Sequence, residues 1–348
     1  MTRAEKSSKN QIKFFLTKKT ATLAVMSVLF VSFFAGNLIT SPAMADNGNS
    51  TNNNVTPANT AGPNTGSTND KKAEQQTMRQ AIQQDAQVYK QATQQADVTY
   101  QQAVQNADLV YKQAAQNANL AYNQAVQQAR STYNTAISGA HGSATVVGPA
   151  MATRDQAIAT AENTKTNTIV AAQVTRDKAT YDAWATHQTT VYNALATRDG
   201  ADGTARSNFY TAIGNSTLAT QAQTVGQAHV TADNSILQAR ETRIAAIENA
   251  YVTKDQAVGN AETTYTTAED SARVTLDNAY TNNAKAWNTA LGAYWTAAGP
   301  LLQTEDSAIA QANAALTTAA GNADATRDQA IDQAYATMYG AIAAAYSS

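Results

Sequence analysis

Tyr89, Tyr100, Tyr111, Tyr122 and Tyr133 stand eleven residues apart, and no other feature constrains the fold as strongly. Ala92, Ala103, Ala114, Ala125 and Ala136 repeat the interval three residues later, and Ala96, Ala107, Ala118 and Ala129 repeat it seven residues later. A looser column of Thr93, Val104, Ala115, Val126 and Ile137 lies at an offset of four. These offsets share one face of a helix, because eleven residues complete three turns at about 3.67 residues per turn. Such a hendecad predicts one long helix with an alanine and tyrosine seam, supercoiled right-handed or nearly straight.

The seam also predicts a partner. Alanine favours the helix but buries little area, about 0.8 kcal/mol for each methyl-sized group. The tyrosines must supply most of the contact, with their hydroxyls near an edge or a polar group. Small residues admit a close neighbour, so a hairpin, a bundle or a self-associated coil is expected. The fold class is all-α: elongated long-helix hairpins or a coiled coil with 11- and 22-residue repeats, following a signal peptide and a disordered linker.

A longer unit takes over downstream. Thr153-Arg154-Asp155 recurs at Thr175-Arg176-Asp177 and Thr197-Arg198-Asp199, each 22 residues on. It returns at Thr253-Lys254-Asp255, Thr275-Leu276-Asp277 and Thr326-Arg327-Asp328. Twenty-two residues are two hendecads, so the same helical geometry continues. Arg154, Lys165, Arg176, His187 and Arg198 form a basic line at the eleven-residue interval. Such a line is expected to be a solvated flank pairing with acids on a neighbouring helix.

Residues 1–45 carry the marks of a secretory signal peptide. Six basic residues from Arg3 to Lys19 precede the uncharged run 21–39, and Ala43-Met44-Ala45 is a small-x-small cleavage signal. An uncleaved N-terminal membrane anchor is the alternative. Residues 46–70, rich in Asn, Thr, Gly and Pro, are expected to be a disordered linker. Helix is expected over 71–138, a 22-residue-repeat helical region over 150–298, and a C-terminal helix over 301–348. Breaks are expected at Gly148-Pro149 and Gly299-Pro300, and a disturbance at 200–203.

Without residues 1–45 the chain keeps 18 basic against 25 acidic residues, a net of −7, with the basic ones dispersed. That balance gives no footprint for nucleic acid and little attraction to an anionic membrane surface. The absence of cysteine removes thiolate chemistry and disulfides. His141, His187 and His229 have no metal-ligand spacing. Asp199, Asp202 and Gly203 lack the alternation of a calcium loop, whose final acid would fall at Tyr210. The Gly139–Ser143 stretch lacks a base or acid partner for nucleophilic chemistry. No catalytic, cofactor or metal site is therefore expected, and no enzyme.

Two groups of side chains remain as candidates. The tyrosine column Tyr89, Tyr100, Tyr111, Tyr122 and Tyr133 is an interaction seam. Trp287, Tyr294 and Trp295 lie near the expected break at Gly299-Pro300 and form a docking cluster, Trp287 and Trp295 sharing one helix face. The eleven-residue pattern resembles that of late-embryogenesis-abundant proteins, and the 11/22 period resembles that of exchangeable apolipoproteins. The first are dense in Lys and Glu and the second in Leu and Phe, where this chain uses Gln, Asn, Thr, Ala and Tyr. Neither resemblance reaches a motif, so no residue role carries over. The expected function is a secreted, cell-surface structural or interaction protein that self-associates, binds another helical protein or acts as a spacer. Binding to lipid or another hydrophobic surface, or to cell-wall polymer, is the alternative.

Overall fold

The computed structural model describes residues 68–140, 143–280 and 284–347, all within the unit Asn64–Ser348. The expected signal peptide and nearly all of the expected linker lie outside the described residues. Those described are all-helical: α1 Thr68–Ser138, α2 Ala144–Ala212, α3 Ser216–Ala279 and α4 Ala284–Ser347. At 1.5 Å per residue each helix is about 100 Å long. No described helix is long and apolar enough to cross a membrane.

Among the described residues α1 packs on α2, α2 on α3, and α3 on α4, and no other pair of helices brings its backbones together. The four therefore form a single antiparallel layer. Short connections dictate this, because a helix re-entering after three to five residues folds back on its predecessor. At the α2–α3 turn Gly214 takes a φ of 81°, which an L side chain rarely adopts. Asn215 then caps α3 by accepting a 3.0 Å hydrogen bond from the Leu218 amide. With four helices, Thr68 and Ser347 lie at one end of the layer, and the turns at 139–143 and 280–283 lie at the other.

Three expected interruptions are absent. Pro149 lies inside α2 and Pro300 inside α4. Pro149, the sixth residue of α2, costs the Thr145 carbonyl its donor, but Thr145 and Pro149 are both exposed, so that carbonyl faces water. Gly299, Pro300 and Thr296 are exposed, so the Thr296 carbonyl that loses its donor faces water. In the second half α3 ends at Ala279 and α4 begins at Ala284. The glycines at 200–203 do not break α2 either. A Cβ on Gly203 would lie 2.7 Å from the Gly226 Cα, so this glycine pair lets the α2 and α3 backbones touch.

The apolar core is thin, as the shortage of large aliphatics requires. Its main cluster, Tyr181, Ile244, Ile247, Ala320 and Ala323, spans α2, α3 and α4, with Trp184 and Tyr251 against it. A second, Ala228, Ala232 and Met338, joins α3 to α4 nearer the Thr68 end.

Candidate functional site

The tyrosine column and the basic line meet rung by rung along the α1–α2 seam. The Arg154 guanidinium lies over the Tyr133 ring at 4.8 Å, Lys165 over Tyr122 at 4.4 Å, and Arg176 over Tyr111 at 4.8 Å. Arg198 lies over Tyr89 at 5.0 Å, and the His187 ring packs on Tyr100 at 5.7 Å. Two equal intervals running in opposite directions stay in register over five rungs. All five tyrosines are half-buried, and desolvation raises the Tyr100 phenol above its ordinary value. The basic line is thus no solvated flank: the cations cover aromatic faces, where the ring quadrupole attracts them. His187 also pairs with an acid on α1, at 2.8 Å from Asp97.

Each arginine of the Thr-Arg-Asp units turns its other edge to the aspartate that follows it. Arg154 reaches Asp155 at 2.5 Å, Arg176 reaches Asp177 at 2.5 Å, and Arg198 reaches Asp199 at 2.6 Å. These aspartates point towards α3 and meet its own Thr-x-Asp units. Asp177 faces Asp255, Asp155 faces Asp277, and Asp199 faces Asp233, each pair within hydrogen-bonding reach. Asp177 is 0% and Asp255 2% exposed, and Asp155, Asp277 and Asp233 are also buried. The layer therefore carries three rungs, 22 residues apart, that run tyrosine, arginine, aspartate, aspartate from α1 through α2 to α3.

Two facing carboxylates in a dry seam cannot both stay charged at low cost. Burial pushes the Asp177 carboxyl up to about 7, with Asp255 adding to the rise and Arg176 opposing it. Asp277 is likewise pushed to about 7 by burial and then Asp155, against Arg154 and Arg273. Burial and then Asp199 push Asp233 to about 7, against Arg198. The Oδ2 atoms of Asp177, Asp255, Asp277 and Asp233 are buried and receive no hydrogen bond from a fixed N–H or O–H. A proton on a carboxyl is what can bridge such a pair. No group of His, Asp or Glu suited to a metal ion occurs among the described residues.

The Asp233 rung is inconspicuous in the sequence: Thr231-Ala232-Asp233 lacks the basic middle residue, as Thr275-Leu276-Asp277 does. Its position 22 residues before Thr253 was the available signal. Trp287 packs edge-on against Tyr280 at 5.4 Å, and Trp295 edge-on against Tyr294 at 5.0 Å. The Tyr294 hydroxyl donates to Glu269 at 2.5 Å, tying α4 to α3, while Arg273 holds the same carboxylate at 2.6 Å. Burial and then Glu269 push the Tyr294 phenol up to about 12. Trp184 instead joins the main core cluster beneath Arg243, which lies 5.2 Å from its ring.

Comparison with protein-family models, characterised proteins and solved structures finds no match to this chain.

Proposed function

We propose that this is an exported, non-enzymatic scaffold whose hendecad helices act as a spacer or self-associating layer at the cell surface. The observation that carries the reading is the single layer of four helices, each about 100 Å long. The export signal and the polar stretch before α1 fit a tethered protein. A tether entering at Thr68 would leave the far turns, with Tyr280 and Trp287 beside them, about 100 Å from the attachment end. The test is small-angle scattering on the chain from residue 46. The layer predicts a radius of gyration of about 30 Å from its helix length, against about 19 Å for a globule of this size. The smaller value would exclude a spacer, and sedimentation of the same sample separates a monomeric spacer from a self-associating one.

A second reading, binding to lipid or another hydrophobic surface, is favoured by Val98, Leu109 and Leu120. They stand eleven apart on α1 and are about half exposed, on the side away from the tyrosines. Circular dichroism with and without neutral vesicles tests it. Unchanged helicity and no co-sedimentation with the vesicles would remove it.

A further inference from the structure

The three seams of the layer are held by different chemistry. Along α1–α2 cations cover rings, and along α3–α4 opposite charges meet, Arg243 and Arg327 both on Asp324. Along α2–α3 buried like groups face each other, beside Arg240 over Tyr192 at 5.1 Å and Arg243 over Trp184 at 5.2 Å. Arg154, Arg176, Arg198 and Lys254 each bind the next residue of their own helix. They would leave with it. We propose that the α2–α3 seam is a proton-operated clasp, in which loss of the proton held between facing aspartates parts the layer into the hairpins α1–α2 and α3–α4. The hinge is the turn at Ile213–Asn215. The proposal rests on the single-layer scaffold described above, because a second layer would hold the halves together.

The surroundings of each rung support the direction. At the middle rung Asp177 and Asp255 are faced by Arg176, Lys254 and the phenols of Tyr181 and Tyr251, with Tyr111 of α1 beyond the arginine. Gln173 donates to Asp255 across the seam at 2.9 Å. At the upper rung Asp155 and Asp277 are accompanied by Arg154, Arg273, Glu269 and Asp270, with Tyr133 from α1 and Tyr294 from α4. Arg273 does cross to Asp155, at 4.0 Å and half-exposed. At the lower rung Asp199 and Asp233 lie near Arg198, His229, Asp202 and Tyr192, with Arg206 beyond Asp202, Tyr89 and Asp85 of α1, and Tyr335 of α4 close by. His229 of α3 lies 3.9 Å from Asp199 of α2. Lys178 pairs with Glu248 across the seam at 3.2 Å, Thr189 donates to Glu241 at 2.7 Å, and Arg240 donates to Gln188 at 3.3 Å. Such part-exposed bridges are weak beside three buried carboxyl pairs that have lost their protons.

The chain has no cysteine, so labels can be placed at will. Spin labels at Gln113→Cys on α1 and Gln311→Cys on α4, both exposed, report the width of the layer in the full chain. At pH 5 a single narrow distance of about 30 Å is expected from three helix spacings. At pH 9 the distribution should broaden and lengthen. Asp177→Asn, Asp233→Asn and Asp277→Asn together replace each protonated carboxyl with an amide that still donates. That variant should keep the short distance at both pH values. An unchanged distance in the parent at pH 9, or opening of the triple variant at pH 9, would overturn the clasp. Should the triple variant not fold, carboxyl carbon shifts of the parent decide: three aspartates titrating near neutrality support the clasp, and none doing so refutes it. Scattering at pH 5 reports separately on the layer itself, so a compact particle there condemns the scaffold reading rather than the clasp.

Discussion

Tyr111 offers the sharpest test of how the layer holds together. It is half-buried, its ring lies 4.8 Å from the Arg176 guanidinium, and that arginine is in turn bound to the fully buried Asp177. Truncating a fully buried aromatic to alanine costs about 3–5 kcal/mol, so a half-buried ring should cost about 2. Loss of the cation over its face adds about 0.5–1 kcal/mol. Tyr111→Ala should therefore lose about 2–3 kcal/mol in urea unfolding at fixed pH. Tyr100, Tyr111 and Tyr122 are about 16 Å apart along the helix, far enough for their effects to add. The triple alanine variant should accordingly release α1 from the layer. A double-mutant cycle of Tyr111→Ala with Arg176→Met isolates the stacking contribution, expected at about 0.5–1 kcal/mol. Gln113 is exposed two residues away, and Gln113→Ala should stay within about 0.5 kcal/mol of the parent. If Gln113→Ala destabilises as much as Tyr111→Ala, or the cycle shows no coupling, the seam described here does not hold α1 to α2.

Stability should fall as pH rises. Asp177, Asp233 and Asp277 are each raised to about 7, so between about pH 4 and 7 the folded chain holds protons that the unfolded chain has released. The contribution is fully present below the unfolded value and is lost through about pH 7, with a slope of at most about 1.4 kcal/mol per pH unit for each carboxyl. Urea titrations at pH 5, 6, 7 and 8 measure it, and a flat or rising profile would contradict it. Gly203→Ala or Gly226→Ala should cost about 1–3 kcal/mol by forcing α2 and α3 apart. Gly292 has open space at its Cβ position in α4, so Gly292→Ala should stabilise by about 0.5–1 kcal/mol. Thermal melting of the three side by side checks the contrast.

The long helices were legible because period is a property of one strand of sequence. The tyrosine column fixes the buried face of α1, and Tyr89 to Tyr133 do lie on the side that meets α2. What a neighbour presents is not legible in the same way. Arg154 to Arg198 were recognisable as a line, but nothing local says that a guanidinium will cover a ring rather than meet an acid. That follows only once two intervals of equal length run antiparallel. The aspartate pairs were harder still. A buried carboxyl contradicts the usual preference of Asp for water, and its compensation lies on another helix some 80 residues away in the middle rung. Proline misled for a related reason: Pro300 is a breaker by local rule, yet on an exposed face of a helix packed along its length the lost hydrogen bond is made good by solvent.

Because each described helix brings its backbone against only the helices next to it in sequence, the energetics of the fold resemble those of a chain of linked units more than those of a globule. Every contact closes a loop no longer than one hairpin. An outer helix can fray without exposing the far side of the molecule, and damage at one edge stops at the next seam. Stretched between Thr68 and Ser347, such an array would not yield in one event. It would give up its seams one at a time, each release adding tens of ångströms of extensible helix, which is the response of a shock absorber rather than of a strut.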